Sequence, residues 1–265
     1  MGGTISLMNV SLSLPGQLLI AALIGATSGA IGSFILLRRM ALVGDALSHV
    51  ALPGIALALA YQLDPFWGVI AALLAVAPLI WWLEMKSKLP TEALVGLLFS
   101  ASLALGILTI PDTEILESLF GAFPALSPLE LGGTVCTAVV ALALTFLLAR
   151  PFLFRIVSEE LARSSGVGRG YDLVLLVIFS VIVALGIKLV GTLLMGALTI
   201  IPAAIARNVS IGMKKYMQTA AVTGALISTA GVSLAAFWAI RPGPAIILLG
   251  VTVFLVSLST IPRQR

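Results

Sequence analysis

The chain is divided into eight or nine long apolar runs, and this division constrains its fold more than any single motif. A membrane-spanning helix needs about 20 mostly apolar residues. Lipid offers the backbone no hydrogen-bonding partner, so helices are expected, and no segment alternates with the period of two typical of a membrane β-barrel. We therefore predict an all-α, polytopic membrane bundle of 8–9 transmembrane helices. The runs lie at 17–37, 41–61, 66–83, 91–110, 129–149, 171–190, 191–206, 219–240 and 245–261.

Composition excludes several classes of protein. Of the 265 residues, 60% are hydrophobic and 10% are charged, which leaves no room for a sizeable soluble domain, so we predict one transmembrane domain over 1–265. No Gly-rich phosphate loop ending in Lys-Ser or Lys-Thr occurs, so any ATP-driven work needs another chain. The net charge of +4 does not indicate a nucleic-acid partner, because the basic residues lie at the ends of apolar runs and anchor them.

The distribution of basic residues predicts an orientation. With the N-terminus outside, five basic patches fall on the cytoplasmic side, where such residues are enriched. They lie at 38–39, 86–88, 150–169, 207–215 and 263–265. The acidic loop 111–128 then lies outside, and Arg241 is the one clear exception. We therefore expect nine spans in a plasma membrane, with the C-terminus cytoplasmic. Run 191–206 is short for a span, and a half-helix or re-entrant segment there would reduce the count to eight.

One apolar run contains an acid and the only histidine of the protein. Asp45 and His49 are four residues apart, so on a helix they share a face. Ionisable groups within a membrane segment are costly and mark routes for ions, protons or substrates. Carboxylate and imidazole together suit zinc or manganese, and Ser48 is a further candidate ligand. The alternative is a closed structural pair, in which Asp45 fixes the His49 tautomer or accepts a hydrogen bond from Ser48.

A second constellation lies in the longest polar segment, about 153–170. Ser158 followed by two acids is typical of a helix start, and Gly166 is typical of a helix end. We predict a short amphipathic helix between two spans, which alone is as consistent with a solvated loop as with a docking element. Asp172, in the first turn of the next run, suits the helix dipole, and a structural role is favoured for it.

Three segments together resemble the permease subunits of the bacterial ABC-type zinc/manganese importers, the ABC-3 family. They are RMALVGDALSHVALPG at 39–54, SEELARSSG at 158–166 and VGTLLMGALTIIPAAIAR at 190–207. The first is the specific one, and the spacing between them extends the resemblance over nearly the whole chain. It implies a type II-like importer permease of the bacterial inner membrane. It also implies that Asp45 and His49 contact Zn²⁺ or Mn²⁺ on the translocation path.

The resemblance further implies a set of partners. These are a second copy of the permease in a homodimer, a cytoplasmic ABC ATPase, and an extracellular or periplasmic metal-binding protein. Segment 158–166 would be the coupling helix that docks on the ATPase, with Glu159, Ala162 and Gly166 at matching positions. No permanently bound cofactor is implied, and the permease itself hydrolyses nothing.

Three rival functions stay open on the sequence. An ABC permease for iron chelates or cobalamin needs a wider path and no direct ion ligands. A gradient-driven metal carrier needs more buried acids or histidines for a coupling ion. A membrane scaffold that transports nothing would use Asp45 and His49 only as a structural pair.

Overall fold

The computed structural model of the protein describes residues 13–41, 43–87, 89–109, 128–192 and 194–259. Every regular element in these ranges is an α-helix, which confirms the predicted all-α class. The helices are α1 Leu14–Leu37, α2 Val43–Ala60, α3 Pro65–Ser87, α4 Thr91–Thr109, α5 Pro128–Leu147, α6 Ala149–Val157, α7 Glu159–Ser164, α8 Gly170–Val190, α9 Met195–Val209, α10 Met213–Trp238 and α11 Pro242–Leu258.

Each of the nine predicted runs coincides with one of these helices. Six of them (α1, α2, α3, α5, α8 and α10) are long and apolar enough to cross a membrane, and α4, α9 and α11 are shorter apolar helices. Helix α9 has 15 residues, so it extends about 22 Å, well short of the roughly 30 Å of a bilayer core. Residues 111–127 of the predicted outer loop and the basic patch 263–265 lie outside the described residues.

The central contact of the bundle joins α1 to α10 through small residues. A Cβ atom added to Gly25 would overlap the carbonyl oxygen of Gly224, and one added to Gly29 would overlap that of Ala220. Such faces let helices approach closely in lipid, where van der Waals packing replaces the hydrophobic effect as the driving force. The contact fixes the position of α1, from which the chain turns directly into α2.

The turn from α1 into α2 is closed by its own backbone. The Arg39 N–H donates to the Leu36 carbonyl at 3.2 Å, and the Met40 N–H donates to the Ile35 carbonyl at 3.0 Å. These bonds form a Schellman motif, whose left-handed position is usually occupied by glycine. Here Arg39 occupies it with a φ of 60°. The turn is therefore tightly defined, although a side chain is strained at this position.

The predicted helix in the polar segment is confirmed as α7. The Ser158 side chain accepts a hydrogen bond from the Leu161 N–H at 3.4 Å and caps the helix start. At the other end Gly166 has a φ of 72°, and the Val167 N–H donates to the Ala162 carbonyl at 2.8 Å. A separate amphipathic helix, α6, precedes α7 and connects it to α5.

Candidate functional site

The first two turns of α2 bring Asp45, Ser48 and His49 together. Their spacing of three and four residues places them on one side of the helix, as predicted. Ser48 is completely buried, His49 is 7% exposed and Asp45 is partly buried. The pair therefore lies inside the protein near the start of a helix, with the carboxylate as its more accessible member.

The start of α9 packs directly against the start of α2. A Cβ atom added to Gly196 would lie 2.8 Å from the Asp45 nitrogen and 2.9 Å from the Asp45 Cβ, so only glycine fits there. A Cβ atom on Gly44 would lie 3.3 Å from the Gly196 Cα. Two helix N-termini, each carrying partial positive charge, thus meet at the backbone of Asp45. Their dipoles stabilise a negative charge at this position.

Ser48 connects α2 to the turn that precedes α9. Its hydroxyl lies 2.7 Å from the Asp45 backbone carbonyl and 2.6 Å from the Thr192 carbonyl, and its single proton serves these two acceptors. Because the proton is committed to backbone carbonyls, Ser48 does not donate it to the Asp45 carboxylate. Ser48 lies on the same side of α2 as Asp45 and His49, so it stays a candidate ligand.

The imidazole of His49 is buried, and one of its ring nitrogens lacks a hydrogen-bond partner in the described part of the chain. Its ring meets the Phe99 ring of α4 edge to face, with centroids 5.2 Å apart. Its buried Nδ1 atom has no hydrogen-bond partner among the residues that the structure describes. Asp45 therefore does not fix the His49 tautomer through a hydrogen bond at Nδ1. Buried polar atoms without partners are rare and costly, and a ring nitrogen of this kind can coordinate a metal ion.

Two protein ligands are few for a metal site. In the described ranges, no three or more His, Cys, Asp or Glu side chains converge into a cluster that could hold a metal. Structural zinc sites close around the ion with four protein ligands, whereas sites that exchange ligands keep open positions. The geometry at α2 therefore suits brief contact with an ion rather than permanent binding.

The predicted coupling residues lie elsewhere, on and beside α7. Glu159 is exposed and binds the guanidinium groups of Arg163 and Arg169, each at 2.8 Å. The hydrogen bonds from Arg169, then Arg163, lower the pKa of Glu159 below its usual value. Gly166 is exposed as well, whereas Ala162 is fully buried. Glu159 and Gly166 are thus accessible to a partner, and Ala162 supports the helix from within.

Sequence reasoning did not foresee the partners of Asp172. The residue lies in the first turn of α8, as expected, but it also forms ion pairs with Arg38 and Arg155. The available signal was the positive-inside pattern, which places both arginines at the same membrane face as Asp172. That pattern gives the side of the membrane but not the pairing.

A separate cavity of about 470 Å³ lies between α3, α5 and α8. It is lined mainly by apolar side chains, with Asp64 and Glu130 among the polar ones. Its volume is in the range of small-molecule pockets. Neither Asp45 nor His49 lines it, so the candidate ion site and this cavity are different places in the fold.

Comparison with known proteins assigns the chain to a family. Residues 14–261 match the ABC 3 transport family, and the chain belongs to it. It is 34% identical over 257 residues to the manganese import system permease protein ScaB of Streptococcus parasanguinis, covering 95% of this chain and 92% of the relative. It is 29% identical over 241 residues to the high-affinity zinc uptake system membrane protein ZnuB of Haemophilus influenzae, covering 89% and 92%.

The solved structures agree with this assignment. PsaBC from Streptococcus pneumoniae, solved in complex with a Fab, superposes with a TM-score of 0.81 at 31% identity, covering 95% of this chain and 92% of that one. An inward-facing conformation of a putative metal-chelate type ABC transporter superposes with a TM-score of 0.71 at 18% identity, covering 92% and 86%. The second likeness concerns the fold alone. The chain is thus a multi-pass membrane protein with the fold of an ABC transporter permease.

Proposed function

We propose that the chain is the permease subunit of an ATP-driven importer of a divalent transition metal ion, Mn²⁺ or Zn²⁺. The observation that carries the proposal is the buried His49 ring, whose Nδ1 has no partner among the described residues and which lies one turn from Asp45. Family membership supports it, because the matched relatives are named as manganese and zinc uptake permeases. Imidazole and carboxylate suit both ions without separating them.

In this proposal, Asp45 and His49 contact the ion as it passes. Asp45 supplies the negative charge that lowers the cost of a dication inside the bilayer, and His49 supplies a neutral nitrogen ligand. Ser48 holds the first turns of α2 against the Thr192 carbonyl and thereby positions both. Water, backbone carbonyls or the second copy of the permease complete the coordination. A site with few protein ligands releases its ion readily, as a conduit requires.

The rest of the importer is assigned to partner chains. A cytoplasmic ABC ATPase hydrolyses ATP and docks on segment 158–166, where Glu159 and Gly166 are accessible. An extracellular or periplasmic metal-binding protein delivers the ion, and two permease copies form a homodimer. The permease lies in the bacterial plasma membrane as a single domain, with its N-terminus outside and its C-terminus in the cytoplasm.

Uptake by reconstituted vesicles tests the proposal. The permease and its ATPase are inserted with the binding protein outside, and Mn²⁺ and Zn²⁺ uptake is measured with and without ATP. Asp45→Ala and His49→Ala should each reduce uptake to background while the ATPase still co-purifies. Glu92→Ala is the control, because Glu92 is an exposed acid in the first turn of α4. Normal metal uptake by both Asp45→Ala and His49→Ala would contradict the proposed role of these two residues.

The same vesicles separate the rival functions. A gradient-driven carrier would move metal without ATP when an ion gradient is imposed. That mechanism needs further buried acids or bases. Among the carboxylate, imidazole, amine and guanidinium side chains that the structure describes, only His49 and Asp172 are buried. A permease for iron chelates or cobalamin would transport the complexed cargo regardless of Asp45 and His49.

A further inference from the structure

A buried carboxylate at the base of α8 joins two elements that are distant in sequence. The Asp172 side chain is 8% exposed. The Arg38 Nη1 donates to its Oδ1 at 3.1 Å, and the Arg155 Nε donates to its Oδ2 at 3.0 Å. The Arg155 Nη2 contacts the same Oδ2. Each carboxylate oxygen thus holds one arginine, so Asp172 bridges the end of α1 to α6.

An apolar contact runs parallel to this bridge. Phe34 of α1 and Phe152 of α6 meet edge to face with centroids 5.6 Å apart, and both rings are buried. Phe34 lies one helical turn before Arg38, and Phe152 lies three residues before Arg155, so each ring shares a face with its arginine. Helices α1 and α6 are therefore held by an aromatic pair and a charged bridge at once.

The ion pairs continue to the neighbouring helices. The Arg38 Nη2 lies 3.5 Å from the Glu84 Oε1 at the end of α3. The Trp81 Nε1 donates to the Arg169 carbonyl at 3.2 Å, and Arg169 in turn binds Glu159 of α7 at 2.8 Å. The network therefore extends from α1 and α3 to the start of segment 158–166.

Arg38 leads directly into the helix of the candidate ion site. It is the C-cap of α1, and the hydrogen-bonded turn that follows it ends where α2 begins at Val43. Asp45 is the third residue of α2. Because the N–H groups of Arg39, Met40 and Val43 all donate to backbone carbonyls, we expect a displacement of Arg38 to reach the first turn of α2.

We propose that Asp172 is the positioning residue that transmits movement of segment 158–166, through Arg155 and Arg38, to the first turn of α2 and so to Asp45. The proposal rests on the proposed function, which assigns 158–166 to the ATPase and Asp45 to the ion. Asp172 touches neither the ATPase site nor the ion, so it acts through its two arginines. Loss of its charge breaks the charged bridge between α1 and α6, leaves the Phe34–Phe152 contact in place, and keeps both ends of the pathway intact.

The first test measures metal uptake per ATP hydrolysed in the reconstituted importer. Asp172→Asn and Arg38→Gln should each lower this ratio at least about fivefold, the range of a typical coupling free energy. The amount of ATPase that co-purifies should not change. The double variant should be no worse than either single one, because both remove the same link. Glu92→Gln, at an exposed first-turn acid, should keep the normal ratio.

Two results overturn the proposal in this assay. One is an unchanged ratio of metal uptake to ATP hydrolysis in Arg38→Gln. This variant decides the test by itself if Asp172→Asn is not recovered from the membrane. The other is a loss of uptake that matches a loss of co-purified ATPase, since this would make the bridge a docking support only.

A second readout needs no transported metal. In a Cys136→Ala background, an environment-sensitive fluorophore on Ala41→Cys reports on the turn between α1 and α2. ATP added to the complex should shift its emission, Asp172→Asn should abolish the shift, and Glu92→Gln should retain it. An equal shift in Asp172→Asn, or none in the parent, overturns the proposal. If the labelled permease without the Asp172→Asn change transports neither ion and still shows the emission shift, the proposed function is wrong. In that case the comparison with Asp172→Asn still tests the transmission role.

Discussion

Gly196 should be essential to the candidate ion site although it carries no functional group. A Cβ atom at this position would lie 2.8 Å from the Asp45 nitrogen, about 0.6 Å inside the 3.4 Å at which ordinary contact begins. The atoms it meets are the backbone and Cβ of Asp45 rather than the end of a flexible side chain. The Gly196→Ala variant must therefore separate the starts of α9 and α2.

The Gly196→Ala change should lower both the stability of the permease and its metal uptake. Overpacking of this kind destabilises a protein by about 1–3 kcal/mol, which lowers the thermal midpoint of the purified permease in detergent. Displacing the start of α2 also moves Asp45 away from its position beside α9. Misplacement of an active group by about 1 Å can cost 100-fold in rate, so we expect Mn²⁺ or Zn²⁺ uptake to fall roughly tenfold.

The matched control is Gly96→Ala on α4. A Cβ atom there has nothing within 4 Å, and alanine is the better helix former by about 0.5–1 kcal/mol. This variant should keep its uptake and melt at an equal or slightly higher temperature. Uptake per folded molecule is compared for both variants after size-exclusion chromatography. If Gly196→Ala takes up metal at the parental rate, the contact between α9 and α2 does not position Asp45.

Three further changes test local features of the fold. Ser48→Ala removes the hydrogen bonds to the Asp45 and Thr192 carbonyls and should lower the free energy of unfolding by about 1–3 kcal/mol; an unchanged denaturation profile would contradict this. Arg39→Gly relieves the strain of the left-handed backbone and should raise the free energy of unfolding by about 0.5 kcal/mol. Arg39→Ala should not raise it. The pKa of the Glu159 carboxyl should lie below the 4.5 that is usual for glutamate, so its ion pairs stabilise the fold above that pH and are lost only as pH falls through the lowered value. Infrared titration should show Arg169→Gln moving this midpoint up toward the usual value, and a parental midpoint that already lies there would refute the pairing.

The apolar runs predicted the helices well because lipid requires continuous apolar sequence. The predicted bounds of a run differ from the observed bounds of its helix where the helix continues beyond the membrane. The run at 219–240 becomes α10, which begins at Met213, since Lys214 and Lys215 extend the helix into the polar face. Helix α6 was not foreseen as a separate element, because its nine residues directly follow the fifth apolar run and carry two arginines and a proline, which marked them as the start of the polar segment.

The site was predictable only in its local part. Helical spacing placed Asp45 and His49 on one face, and that placement needs no tertiary information. The contact with Gly196 could not be read from the sequence, because it depends on where α9 begins relative to α2. Arg38 and Asp172 are 134 residues apart in the sequence. The excess of basic residues on the cytoplasmic side does not indicate which acid each arginine pairs with.

The electrostatics of α2 explain why one acid and one histidine are a workable ligand set. The positive ends of α2 and α9 meet beside Asp45, and they would repel a dication if the carboxylate were absent. In the proposed function Asp45 therefore has two tasks, since it must offset the partial charge of both helix ends and attract the ion. The net attraction that remains is small, and the neutral His49 adds a directional ligand without adding charge. A site balanced in this way would bind an ion weakly enough to pass it on, as the proposed conduit requires. Adding a second acid at this position would strengthen binding and thereby slow release.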